Sequence, residues 1–260
     1  MISQAQIRRD LGTKNFGKKV FTFDTLDSTN NCVKVLANAG LEEGLVVYSE
    51  YQSAGRGRVG RTWESEEAKN VLFSLLLRPP ETIAQINLLT FYVAVSISEA
   101  VETVTGLTVE CKWPNDLTHE GKKFCGILLE ASSQQTSTDF VVVGVGLNVN
   151  QTKFSSTLQG KATSLKNQCR KEINRVALIQ ECIRCLEKRY MNLSTDGFAD
   201  VLEAWKSRCI MFNKTIRIDH HGMFISGLVK RLDPDGALVV VSHNKEIRLL
   251  AGDVTVIETL

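Results

Sequence analysis

Gly55-Arg56-Gly57-Arg58-Val59-Gly60-Arg61, behind the apolar run Leu45–Tyr51, is the stretch on which the fold turns. A G-x-G-x-x-G segment after a strand is the dinucleotide fingerprint, and a doubly wound α/β fold would follow from it. That reading requires the glycine turn to run straight into a helix that holds pyrophosphate on its N-terminus. Here Thr62-Trp63-Glu64-Ser65-Glu66-Glu67 follows, with no apolar face at helical spacing. Three arginines in seven residues fit another use. Glycines let backbone approach an anion closely, and arginines supply planar forked donors to phosphate or carboxylate. The segment reads as a mobile anion-gripping loop that orders over a ligand. A solvated basic turn or a nucleic-acid contact is the plainer alternative.

Outward from this loop, the spacing of apolar residues predicts an α+β domain. Ser28-Thr29-Asn30 precedes Val33, Leu36 and Ala37, a short helix with a small polar cap and Gly40 as its stop. Val71–Leu77 is a second strand, nearly all apolar. Thr82 and Gln85 form a possible capping box, and Ile86, Leu89, Val93, Ile97, Val101 and Val104 then recur at helical spacing up to Gly106. Leu107–Trp113, Phe124–Ala131 and Phe140–Val145 read as strands. Helices follow on Val176, Ile179, Ile183, Leu186 and Tyr190, and on Phe198, Val201, Leu202 and Trp205. After about residue 212 the texture changes to short alternating runs with turn signals at His221-Gly222 and Asp233-Pro234-Asp235-Gly236. Four or five short strands there predict a small β-barrel. The expected division is 1–212 and 213–260.

Composition removes several classes of function. The 31 Lys and Arg against 29 Asp and Glu, net +2, are too even for a whole-surface nucleic-acid binder. The longest apolar runs, such as the one ending at Leu77, fall far short of a bilayer span. The N-terminus lacks the apolar core of a signal peptide. Seven cysteines, an odd number, do not make a secreted disulfide framework, so a cytoplasmic location is expected. Only His119, His220, His221 and His243 are present, so chemistry built on several histidines is nearly excluded. Any metal would be held by carboxylates and substrate phosphates.

The remaining motifs are weaker singly. Gly12-Thr13-Lys14-Asn15-Phe16-Gly17-Lys18-Lys19 nearly matches a P-loop but lacks the metal-binding Ser/Thr and a preceding strand. It reads as a chance match in an exposed basic tail. Lys112-Trp113-Pro114-Asn115-Asp116 ends a strand, either as a plain turn or as a cation and a carboxylate offered to one cleft. Lys123 stands at the mouth of the run Phe124–Glu130. Gly144 and Gly146 alternate along a strand and clear one face for a ligand or another backbone. Asn148 just beyond offers donor and acceptor to a heterocycle edge. Cys182 and Cys185 form a C-x-x-C pair with no further ligands at zinc spacing, and read as helix core.

The order of the motifs says more than any one of them. Asp27-Ser28-Thr29-Asn30, then Glu50-Tyr51-Gln52-Ser53-Ala54 leading into the glycine–arginine loop and Trp63, then Lys112–Asp116, then Lys123–Glu130, then Gly144–Asn150, resembles the biotin–protein ligases. The specific motifs span about residues 24–150. The resemblance implies a mixed-sheet catalytic domain related to class II synthetases and lipoate ligases, with a small SH3-like β-barrel at the C-terminus. It implies synthesis of biotinyl-5′-AMP from biotin and ATP with Mg²⁺. The biotinyl group then passes to a lysine of a biotin carboxyl carrier protein, a subunit of acetyl-CoA carboxylase or of another biotin-dependent carboxylase. It is similar to the shorter form lacking an N-terminal DNA-binding domain, so neither DNA nor membrane is an expected partner. A homodimer is left open.

By that resemblance Ser28, Thr29, Asn30, Gln52 and the backbone at Gly55 and Arg56 bind biotin, with Gly126, Leu128 and Gly144 under its apolar part and Lys123 near its carboxylate. Arg56, Arg58, Arg61 and Lys112 surround the phosphates, Trp63 packs over adenine and Asn148 bonds its edge. Lys112, Arg58, Lys123 and Asp116 carry the chemistry, and Asp116 is also the possible metal ligand. Val59 stands where some members of the family have another arginine. The nearest rival is a lipoate or octanoate ligase. A non-enzymatic nucleic-acid binder is the rival of another class.

Overall fold

The computed structural model describes residues 1–80, 85–134, 137–220, 223–250 and 252–256. A seven-stranded mixed sheet forms its centre, in the order β1-β2-β3-β7-β6-β5-β4. The strands are β1 (Val20–Leu26), β2 (Val46–Gln52), β3 (Val71–Leu77), β4 (Glu110–Lys112), β5 (Asp116–His119), β6 (Lys122–Gln134) and β7 (Ser137–Leu147). β1 and β2 pair in parallel and the other neighbours are antiparallel. The expected strand Leu107–Trp113 shortens to β4, because the long helix ends only at Gly106, in the left-handed conformation. β1 and β5 are strands that the pattern of apolar residues did not announce.

The two faces of the sheet differ. On one, Val71, Phe73, Leu75, Val141, Val143 and Val145 alternate into the larger hydrophobic cluster. Helix α3 (Ile86–Thr105) covers that face, and α5 (Arg175–Asp196) and α6 (Ala199–Lys206) pack on α3 in turn, while α4 (Leu165–Cys169) is a short helix that follows the cleft loop. α3 is apolar enough and long enough to cross a membrane by composition, but most of it is buried in this core. A helix apolar on all sides is an interior helix. The Thr82 capping box lies outside the described residues, and Gln85 caps α3 without a side-chain bond. On the opposite face α2 (Thr29–Asn38) packs Val33 and Ala37 on Val47, Leu76, Phe140 and Val142. Continued along β7, that face reaches Gly144 and Gly146, where side chains stop and a cleft begins.

The C-terminal strands are β8 (Thr215–His220), β9 (Met223–Leu232), β10 (Leu238–Ser242), β11 (Lys245–Leu249) and β12 (Asp253–Val256). They form one antiparallel sheet in the order β11-β10-β9-β8-β12. The turn at 233–236 forms as expected, with Gly236 N–H donating to Asp233 O at 2.9 Å, while His221-Gly222 lies outside the described residues. Trp113 Nε1 donates to Gly236 O at 3.2 Å, and a side chain on Gly236 would stand 2.6 Å from the Phe91 ring. One apolar cluster contains both Trp205 and Ile216, so the core runs on across residue 212.

The N-terminal segment is not an exposed tail. Ile2, Ile7, Leu11 and Phe16 are buried, the first three about the short helix α1 (Gln4–Arg8). The backbone N–H groups of Lys14, Asn15 and Phe16 all donate to the Glu187 carboxylate of α5, at 2.7, 2.5 and 2.8 Å. The near match to a P-loop is therefore an anion-binding backbone whose anion is internal. Cys182 is buried and Cys185 half-buried on α5, and all seven cysteines are unpaired thiols. Burial raises the thiol pKa of both.

Candidate active site

The cleft, about 270 Å³, opens where β6 and β7 lose their side chains on the α2 face. Gly126 and Gly146 are cross-strand partners, as are Leu128 and Gly144. The glycine face is already covered by protein. A side chain on Gly126 or Gly146 would stand 2.7 or 2.6 Å from the Trp63 indole, and one on Gly144 would collide with Asn30 Oδ1. These glycines thus seat Trp63 and Asn30 against the sheet, where the sequence suggested a bare floor for biotin.

The inner end of the cleft is a polar cluster at the start of α2. Ser28 is the helix cap but makes no side-chain capping bond. Thr29 donates to Gln52 Oε1 through N–H at 2.7 Å and through its hydroxyl at 3.1 Å. Ser74 of β3 bridges Thr29 Oγ1 and Asn30 Oδ1 at 2.7 and 2.5 Å. Asn30 Nδ2 reaches Glu130 Oε2 at 2.8 Å. Ser74 is the one polar residue inside β3, and that exception in an apolar run is the signal that could have found it.

The glycine–arginine segment is a small hairpin. Trp63 N–H donates to Gly55 O at 2.9 Å, and Gly57 N–H to Arg61 O at 2.6 Å, around a turn at Arg58–Gly60. A side chain on Gly55 would stand 2.6 Å from Trp63 O, so this glycine serves hairpin closure. Arg56, Arg58 and Arg61 line the cleft from this side. Val59 sits at the tip, 84% exposed with φ +52°, a strained setting for a β-branched residue.

At the outer end Lys123 Nζ pairs with Asp116 Oδ1 at 2.6 Å and stands 5.4 Å from the Trp63 ring centroid. Asn148 donates through Nδ2 to Thr163 O at 3.1 Å. Among the described residues four buried side-chain atoms have no hydrogen-bond partner: Arg56 Nε, Trp63 Nε1, Ser65 Oγ and Asn148 Oδ1. Three of the four belong to residues lining this cleft. A buried unsatisfied polar atom costs about 1–3 kcal/mol, and its concentration at one place points to ligand recognition.

Of the residues named from sequence, the cleft brings together Ser28, Thr29, Asn30, Gln52, Arg56, Arg58, Arg61, Trp63, Asp116, Lys123, Gly126, Leu128, Gly144 and Asn148. Gly55 and Lys112 are not in its lining. Lys112 ends β4 opposite Asp116 in the strand pairing. The lining also includes Leu158 and Ala162, from a loop without any motif, and Asn115, which donates to Ile127 O at 2.6 Å. Among the described residues no group of three or more His, Cys, Asp or Glu is arranged to hold a metal. Asp116, the candidate ligand, is engaged by Lys123, so the residues present do not form a metal site of their own.

Comparison with known proteins agrees with this geometry. The model of the biotin/lipoate A/B protein ligase family matches residues 22–148. The bifunctional ligase/repressor BirA of Bacillus subtilis is 32% identical over 255 residues, which cover 97% of this chain and 78% of the relative. The biotin--[acetyl-CoA-carboxylase] ligase of Mycobacterium tuberculosis is 29% identical over 240 residues, covering 87% of this chain and 85% of that protein. The structure of the Aquifex aeolicus biotin protein ligase in complex with biotin and ATP superposes with a TM-score of 0.82 at 25% identity, covering 93% of this chain and all of the other.

Proposed function

This chain belongs to the biotin/lipoate A/B protein ligase family, and on that footing we propose that it is a biotin–protein ligase. It activates biotin with ATP to biotinyl-5′-AMP and transfers the biotinyl group to a lysine of a biotin carboxyl carrier protein. The observation that carries this reading is the meeting, in one cleft, of a polar pocket at Ser28–Asn30 and Gln52 with three arginines and Lys123. A ureido ring needs fixed donors and acceptors at its edge, and the inner cluster supplies both. A dithiolane ring has no use for them, which argues against lipoate.

In the first step a biotin carboxylate oxygen attacks the α-phosphorus of ATP and pyrophosphate leaves. Anions converge and negative charge grows on the phosphate oxygens. Arg56, Arg58 and Arg61 of the hairpin, and Lys123 of β6, oppose that charge, and cations aimed at developing charge are usually the largest source of stabilisation in such sites. Asn148 Oδ1 and Trp63 address the adenine. Lys112 stands outside the cleft lining, and its assignment to the phosphates rests on the resemblance alone. Mg²⁺, where used, comes with the nucleotide and neutralises phosphate charge. The chain's own contribution is cationic. In the second step the deprotonated carrier lysine attacks the anhydride carbonyl and AMP leaves. Seven unpaired thiols support a reducing, cytoplasmic setting.

The test offers labelled biotin and labelled lipoate side by side, with ATP and a carrier domain. Labelling of one carrier lysine by biotin alone is expected. Equal labelling by lipoate, or labelling by lipoate alone, would overturn the choice of substrate.

A further inference from the structure

Glu130 lies on the cleft face of β6 but outside the inner lining, and the resemblance assigns it no substrate contact. Arg56 meets its carboxylate with both terminal nitrogens, Nη1 to Oε1 at 3.1 Å and Nη2 to Oε2 at 2.7 Å. Lys34 of α2 reaches Oε1 at 2.6 Å, and Asn30 Nδ2 reaches Oε2 at 2.8 Å. The Glu130 side chain is only 20% exposed. Burial alone would raise its pKa, but Lys34, Asn30 and Arg56 outweigh burial and hold it below its ordinary value.

A bidentate pair sets the plane of a guanidinium as well as its place. With Nη1 and Nη2 directed to Glu130, Arg56 Nε–H is buried and has no hydrogen-bond partner among the described residues. Arg56 also lines the cleft. A cation held this way meets developing phosphate charge without reorganising. Lys34 matters because two cations on one carboxylate leave a net positive charge beside the cleft, where a single pair would be neutral. Asn30 carries the connection inward to Ser74 and to the pocket above Gly144.

Resting on the adenylation reading, we propose that Glu130 is a positioning residue that acts through Arg56. It fixes the guanidinium plane and moors the 55–61 hairpin to β6, while Lys34 compensates its charge. The prediction is that removing the carboxylate misplaces Arg56 and does no further harm once Arg56 is gone.

A double-mutant cycle on biotin-dependent ATP–pyrophosphate exchange tests this. Glu130→Gln should lower kcat about 10- to 100-fold, the scale of a misplaced catalytic group, with a smaller change in the KM for biotin. In an Arg56→Ala background the same substitution should cost less than threefold. A loss under threefold in the parent, or an equal loss in both backgrounds, would overturn the proposal. Should Glu130→Gln fail to fold in urea titration, Glu130→Asp runs through the same cycle with the same criteria. Absence of exchange in the parent protein would refute the adenylation reading and this inference with it. Exchange in the parent with an additive cycle would refute this inference alone.

Discussion

Two loops of this chain, Gly12–Lys19 and Gly55–Arg61, are rich in glycine and cations and resemble nucleotide motifs, yet they are put to opposite uses. In the first, three successive backbone N–H groups point at one carboxylate, and that carboxylate is Glu187 of the same chain. The anion-binding geometry is consumed in joining the N-terminal segment to α5. In the second, the backbone closes on itself as a hairpin, its arginines line a cleft, and Arg56 Nε is left unsatisfied in a buried position. Glycine-rich backbone makes a place for an anion. Whether the anion is a ligand depends on side chains far away in sequence.

The comparison breaks first at the arginines. Arg58→Ala should lower biotin-dependent exchange by about 10²–10³, the typical effect of removing one electrostatic contact to a transition state, with the urea midpoint unchanged. A loss under threefold would place Arg58 with the solvated basic turns. The converse belongs to the first loop. Glu187→Ala leaves three backbone donors without their acceptor and should cost roughly 3 kcal/mol of stability, while exchange per folded molecule stays within twofold. Lost activity at unchanged stability would mean that the first loop serves the site after all.

A pH titration sharpens the contrast. Glu130 is held below its ordinary value of 4.5, so its ion pair contributes stability that is complete above about pH 4.5 and is lost as the pH falls further, through its lower folded value. Amide exchange in the hairpin, corrected for the intrinsic pH dependence, should therefore accelerate as the pH falls below about 4.5 in the parent protein, and this acceleration should be absent in Glu130→Gln. The same acceleration in Glu130→Gln would show that the hairpin is not moored by Glu130. The smallest effect is at Val59. Relief of its positive φ is worth about 1–2 kcal/mol and the added freedom of glycine offsets roughly 0.5–1. Val59→Gly should thus leave stability unchanged or raise it by up to about 1.5 kcal/mol in urea denaturation, and a clear loss would reveal a contact made by the valine.

Much of this architecture was legible where one physical rule acted alone. α3 repeats apolar residues at helical spacing for five turns, β3 is apolar throughout, and the β-rich tail alternates between clear turn signals. The order of the motifs, through the family resemblance, also named most of the residues that line the cleft. What stayed hidden depends on long-range partners. β1 is an edge strand whose parallel pairing with β2 leaves only a weak alternation. β5 begins within the turn signal Pro114-Asn115-Asp116, which masked it. The Glu187 contacts join residues more than 170 apart, so nothing near Lys14 announces that its loop is filled. The cover over Gly144 and Gly146 comes from Asn30 and Trp63, and only the fold shows that the cleared strand face is occupied by the protein itself.

Exchange of labelled pyrophosphate into ATP tests the central claim most directly, since it needs adenylation but no carrier protein. The folded chain with ATP and Mg²⁺ should show exchange that rises with biotin, saturates, and is absent when biotin is omitted or replaced by lipoate. Exchange that does not respond to biotin, or none at all in protein shown to be folded, would contradict it.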